Sequence, residues 1–151
     1  EMCIRDSGMS IYQLLQQVFV EYGLYKDQGV SVVRKGKSGA EEIEAMMKNF
    51  RENPLKTLAG SPVVEVLDYA KLQGLWLDKG EVFTLDMPTT SNVLQYKTAD
   101  GTKVSIRPSG TEPKIKFYIG VRGKVTSKED LPAAEAACLE KIQVIRQELG
   151  I

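Results

Sequence analysis

Residues 104–118, VSIRPSGTEPKIKFY, decide how the rest of the chain is read. An alternating apolar segment stops at Arg107. Proline, serine, glycine and threonine follow, and a second alternating segment starts near Lys114. There Ile115, Phe117 and Ile119 alternate with Lys116, Tyr118 and Gly120, the period-two pattern of a strand with one buried face. Two strands joined by the polar loop RPSGTEP are therefore expected.

Working outward, LQYKTADGTKVSIRP reads as two strands around Asp100-Gly101, a strong hairpin signal because the favoured tight turn needs positive φ. Further upstream, SPVVEVLDYA predicts a strand over 63–69. GEVFTLDMP predicts a short strand ended by Pro88, after a loop carrying Trp76, which is read as a partly buried anchor. GVSVVRK is a valine-rich strand. Three helices complete the pattern. In SIYQLLQQVFVEYG, Ser10 and Gln13 form a capping box and Gly23 is the stop. In KSGAEEIEAMMKNFRENP, Ser38 and Glu41 suggest a second capping box, Ile43, Met46, Met47 and Phe50 form the apolar face, and Pro54 ends the helix near Asn53. In SKEDLPAAEAACLEKIQVIRQELG, Ser127 and Asp130 cap a helix whose face is Leu131, Ala134, Cys138, Ile142, Ile145 and Leu149. The order predicts an α+β domain, a mostly antiparallel sheet with helices packed on one face.

Composition narrows the function classes. The 151 residues suit one domain with an appendage, long enough to bury a core. Twenty basic residues balance twenty acidic ones, which argues against a nucleic-acid surface. Histidine is absent, removing imidazole ligation and the commonest general base. Cys3 and Cys138 have no metal or redox spacing, and a reducing cytoplasm is expected. No apolar run reaches the roughly 18–20 residues that span a bilayer, so no membrane partner is expected. Residues 1–8, EMCIRDSG, lack periodicity and are read as a non-native scar.

The loop suits a tetrahedral oxyanion. Arg107 offers a fork of donors, Pro108 stiffens the turn, and Ser109 and Thr111 supply hydroxyls. Gly110 lets the backbone approach a ligand and reach unusual dihedrals, and Lys114 adds a second charge at the rim. The competing reading is a solvated hairpin loop in which Arg107 pairs with Glu112. Lys116 and Tyr118, on the strand leaving the loop, are within possible reach of a ligand but read first as an exposed sheet face. RKGKSG at 34–39 fails as a P-loop because Ser31 stands where the first glycine is needed; Lys35 and Lys37 remain as contributors to electrostatics at a helix start. The acidic clusters AEEIEA and KEDLP read as solvated helix openings, and Cys138 as a core residue.

RPSGTEPK resembles the phosphate-binding loop of the α-D-phosphohexomutases, the phosphoglucomutases and phosphomannomutases, and looks nearest to bacterial phosphoglucomutase-type members. Residues 91–121 resemble the family's C-terminal domain, and residues 19–54 the junction of its third and fourth domains. The resemblance implies a TATA-box-binding-protein-like fourth domain over 25–151, preceded at 9–24 by the terminal helix of a truncated third domain. It implies an enzyme of four domains around a cleft, in which a phosphoserine exchanges its phosphoryl group with glucose or mannose 1- or 6-phosphate. The fourth domain grips the non-reacting phosphate, through Arg107, Ser109, Gly110 and Thr111, with Lys114 beside them. It also implies Mg2+ in the full-length enzyme, held by aspartates in the second domain, and the upstream domains as partners.

The serine loop, the aspartate-rich metal loop and the sugar-reading loop of that family are not found in this sequence. No catalytic residue, metal ligand or cofactor is therefore assigned, and the chain alone is expected not to catalyse phosphoryl transfer. The alternatives are a stand-alone module binding a phosphorylated ligand and a sheet domain that mediates association. A stripe of Ile11, Leu14, Val18 and Phe19 exposed on the first helix would favour the fragment reading; the same stripe folded into the core would favour a module.

Overall fold

A computed structural model describes residues 8–34 and 36–151. The first seven residues, with Cys3 and most of the expected scar, lie outside the described residues, as do Lys35 and the side chain of Lys37.

Helix α1 (Ile11–Tyr22) leads into β1 (Leu24–Val33) and α2 (Gly36–Glu52). Strands β2 (Thr57–Leu58), β3 (Ser61–Asp68), β4 (Gln73–Trp76), β5 (Glu81–Thr84), β6 (Leu94–Thr98), β7 (Lys103–Pro108) and β8 (Lys114–Gly123) follow. A single 3-10 turn (Lys128–Asp130) opens α3 (Leu131–Leu149). The sheet order is β1-β8-β7-β6-β3-β4-β5, with β2 beside β3, and every pairing is antiparallel. The α+β expectation holds.

Strand β8 organises the core. Ile115, Phe117, Ile119 and Val121 are buried on one face. They pack with Ile43, Met47 and Phe50 of α2 and with Cys138, Ile142 and Ile145 of α3 in one apolar cluster. Phe50 meets Phe117 edge-on, ring centroids 6.2 Å apart, the geometry aromatic quadrupoles favour. Tyr96 is fully buried and its hydroxyl donates to the Phe50 carbonyl at 2.6 Å, which ties β6 to the end of α2 and satisfies the polar tip. Burial pushes the Tyr96 phenol well above its ordinary value. The Cys138 thiol is buried, and burial pushes its pKa up, as befits a core residue. The other face of β8, with Lys116 and Tyr118, carries no helix from this core.

Most helix signals behave as expected. Ser10 and Gln13 form the capping box of α1: the Ser10 amide donates to Gln13 Oε1 at 2.8 Å and the Gln13 amide to Ser10 Oγ at 3.2 Å. Asp130 Oδ2 accepts from the Ser127 amide at 3.0 Å, so the Ser127–Asp130 box caps the 3-10 turn ahead of α3, and Asp130 at the N-cap of α3 itself makes no side-chain cap bond. Ser38 is different. Helix α2 starts at Gly36, so Ser38 lies inside its first turn and is not the cap. The chain doubles back so tightly that a Cβ on Gly39 would lie 2.7 Å from the Arg34 carbonyl carbon, and this close turn begins the helix early. Strand β1 also starts five residues before the valine-rich stretch, because Leu24–Gln28 pair along β8 as far as Gly123.

Trp76 sits on a strand rather than in a loop. It closes the short β4 and stacks on Phe83 of β5 at 5.2 Å, half-buried as an anchor. Phe83 lies over Gly74, where a Cβ would come within 2.1 Å of the ring. On α1, Ile11 and Val18 are exposed, whereas Leu14 is half-buried and Phe19 packs against the core cluster.

The hairpin at Asp100-Gly101 is present, with Gly101 at φ 86°. Partial burial pushes the Asp100 carboxyl up, but hydrogen bonds from Lys141, Thr98 and Thr102 outweigh it and hold the carboxyl well below its usual range. A group whose folded pKa is lowered stabilises the fold above its unfolded pKa and loses that contribution as pH falls. The stability advantage of wild type over Asp100→Asn in urea titrations should be full above about pH 4 and shrink below it. Strand parity gives a second expectation. Phe117→Ala should cost about 3–5 kcal/mol, and Tyr118→Ala less than about 1 kcal/mol, in the same titrations.

Candidate functional site

The β7–β8 connection is anchored by its own hydrogen bonds. The Ser109 amide donates to the Lys114 carbonyl at 2.8 Å, and the Lys114 amide to the Glu112 carbonyl at 2.7 Å. The Glu112 amide donates to Ser109 Oγ at 3.3 Å. From outside, the Arg34 amide donates to the Pro113 carbonyl at 2.9 Å, tying the end of the loop to the exit of β1. The tip is left over. Among the described residues, the amides of Gly110 and Thr111 have no internal acceptor, and the Thr111 hydroxyl has no partner.

Strand β7 runs on through Pro108, so Arg107 is held on the ladder rather than in the loop, directly opposite Lys116. It shares the uncovered face with Lys103 and Ser105, and its guanidinium is exposed and in no ion pair among the described residues. The expected competitor, an Arg107–Glu112 pair, does not form. Glu112 pairs instead with Lys114, whose ammonium holds the Glu112 carboxyl below the usual carboxylate range. Lys114 thus stands at the rim with its charge already matched.

Gly110 does not occupy the left-handed region, so unusual dihedrals are not what it supplies. A Cβ there would meet nothing within 4 Å, so packing does not demand glycine either. What it provides is open space over bare amides.

Arg107, Ser109, Gly110, Thr111 and Lys114 line one concavity of about 390 Å3 together with Pro108, Glu112, Lys116 and Tyr118, so one carboxylate stands among its cations. The last two were read from sequence first as a plain exposed face. The available signal was parity: positions 114, 116 and 118 share the side of the sheet that Arg107 occupies. The same loop, through residues 108–113, also lines a more apolar groove of about 550 Å3, walled by Ala40, Ile43 and Met47 of α2.

The sequence model described as "Phosphoglucomutase/phosphomannomutase, C-terminal domain" matches residues 29–137. The chain belongs to this family. A phosphoglucomutase of Staphylococcus haemolyticus (strain JCSC1435) is 31% identical over 118 residues, covering 78% of this chain and 21% of that protein. One of Staphylococcus aureus (strain MRSA252) is 34% identical over 115 residues, 76% of this chain and 20% of that protein. The chain therefore spans about a fifth of the length of these relatives. The crystal structure of the exocytosis-sensitive phosphoprotein pp63/parafusin from Paramecium, a phosphoglucomutase in open form, aligns over 93% of this chain and 23% of its own. Its TM-score is 0.51 at 14% identity, a likeness of fold.

No helix among the described residues is long and apolar enough to cross a membrane. Nor, among them, do three or more acidic or cysteine side chains gather where a metal ion could be held. The loop's hydrogen bonding has its own test. In amide hydrogen exchange Gly110 and Thr111 should exchange fast, and Ser109 and Lys114 measurably more slowly.

Proposed function

We propose that this domain grips the non-reacting phosphate of a hexose phosphate, as part of a longer phosphoglucomutase or phosphomannomutase that interconverts hexose 1-phosphate and hexose 6-phosphate. The observation that carries the reading is the unpaired Arg107 guanidinium beside a loop tip whose Gly110 and Thr111 amides have no acceptor of their own. A phosphate dianion satisfies both: two oxygens meet the arginine fork, and the others take amide and hydroxyl hydrogens from Gly110, Thr111 and Ser109. Lys114, through its pair with Glu112, braces the loop at the rim of the site.

Such a grip is chemically useful at a distance from the reaction. Binding energy from a remote phosphate positions the sugar oxygen that reacts. The loop reads only a tetrahedral dianion, so it accepts the phosphate at either end of the sugar, as a reaction that moves a phosphoryl group between two positions requires. Glucose and mannose would be told apart elsewhere in the longer protein. The same division assigns Mg2+ and the phosphoserine to upstream domains, which would be this domain's partners.

Helix α1 lies outside the residues that match the family's domain and exposes Ile11 at 66% and Val18 at 41%. We read it as the terminal helix of the preceding domain, its stripe covered by upstream chain. The half-buried Phe19 then joins the two parts.

Titrating the chain with inorganic phosphate or glucose 1-phosphate, followed by amide chemical shifts, tests the grip. The Gly110 and Thr111 signals should move most. Arg107→Ala should weaken binding by roughly tenfold or more, and Gly110→Ala should weaken it while leaving stability nearly unchanged. Equal affinity of wild type and Arg107→Ala would overturn the reading.

A further inference from the structure

Two hollows meet at the β7–β8 loop, because residues 108–112 line both. The concavity that holds Arg107 carries an excess of cations. The groove of about 550 Å3 beside α2 is built differently. Ala40, Ile43 and Met47 make its wall largely apolar, and two polar side chains stand in it, Glu44 of α2 and Asn92 just ahead of β6. A mostly apolar hollow with a few placed polar groups is the usual form of a small-molecule site.

Both polar groups are left free for a ligand. Asn92 Oδ1 accepts from Arg51 Nη2 at 2.5 Å, and Arg51 Nε in turn donates to Asp68 Oδ2 at 3.2 Å. A guanidinium only donates, so the carboxamide must turn its oxygen to Arg51 and its NH2 away. Among the described residues those amide hydrogens have no acceptor. Glu44 has a lysine one turn ahead, at the spacing that favours a pair, yet Lys48 lies 3.8 Å from Glu52 instead. Glu44 thus keeps its carboxylate without an ion pair or hydrogen bond among the described residues.

This chemistry sorts the two ends of a sugar phosphate. A phosphate dianion beside Glu44 would be repelled, so the groove refuses the charged end and the cationic concavity takes it. A carboxamide donor and a carboxylate acceptor suit hydroxyl groups, each of which both donates and accepts. We propose that the groove seats the hydroxylated end of the ligand whose phosphate rests on the loop, with Asn92 donating to one sugar hydroxyl and Glu44 accepting from another. The proposal rests on the loop being a phosphate grip. Arg51 and Asp68 act through Asn92 as positioning residues. One donor and one acceptor hold a polyol without choosing its epimer, so the choice between glucose and mannose stays elsewhere.

The test titrates the full chain with glucose 1-phosphate and with methyl phosphate, a monoester that carries the phosphate and no sugar. Wild type should bind glucose 1-phosphate roughly tenfold or more tighter than methyl phosphate. Asn92→Asp leaves an oxygen for Arg51 and removes the donor, and Glu44→Ala removes the acceptor. Each should shrink that preference by about threefold or more. The preference is the readout because a change of charge shifts both ligands alike. Both side chains are exposed, so neither substitution should move the unfolding midpoint by more than about 3 °C. Arg107→Ala should weaken both ligands together. A wild-type preference near one, or an unchanged preference in either groove variant, overturns the proposal and leaves the loop reading standing. Wild-type affinity of Arg107→Ala for both ligands would remove the loop reading and this proposal with it.

Discussion

The register between β7 and β8 is the constraint on which the rest of the molecule depends. It sets Ile106 beside Phe117 and Val104 beside Ile119 on the covered face, and Arg107 beside Lys116 on the uncovered one. Because side chains alternate strictly along a strand, a slip of one residue would expose the apolar row and bury the cations. Core and site are thus fixed by one choice. The buried aromatic at 117 holds the charged pair at 107 and 116 in place more firmly than any contact the cations make themselves. The loop inherits this stiffness, since Pro108 and Lys114 on either side of its turn belong to strands and only its tip is left without internal partners.

The balance inside the loop explains why its composition is so mixed. Three of its polar groups serve the loop: the Ser109 hydroxyl accepts from the Glu112 amide, and Glu112 and Lys114 neutralise each other. Those internal bonds free the remaining groups from structural duty. Among the described residues, Arg107 and the amides at 110 and 111 have no partner inside the domain, which leaves their donors available to water or to an anion.

Much of this was legible in the chain, and for physical reasons. Period-two alternation over 115–119, the Asp100-Gly101 turn and the capping box at Ser10 each encode local geometry, and the structure follows them. What could not be read depends on tertiary geometry. Ser38 looked like a helix cap, but the close pass of Gly39 by Arg34 starts the helix sooner. Trp76 looked like part of a loop because its strand is four residues long and held only by neighbours. Within the site, residue types were readable and pairings were not: Glu112 had two cations in reach, and the sequence does not say which it takes. Likewise the opposition of Arg107 and Lys116 emerges only once the length of the reversal is known.

The order of the sheet carries a consequence for how the domain assembles. Leu24 pairs with Gly123 and Val33 with Lys114, so the first strand docks beside the last. Local hairpins such as β6–β7 and β7–β8 form across short separations, whereas closing β1 onto β8 fixes almost the whole intervening polypeptide and costs loop entropy. During synthesis on a ribosome, β1 must therefore wait without a partner until β8 has emerged. Its row of unmatched amides is a hazard for strand-to-strand aggregation over that interval.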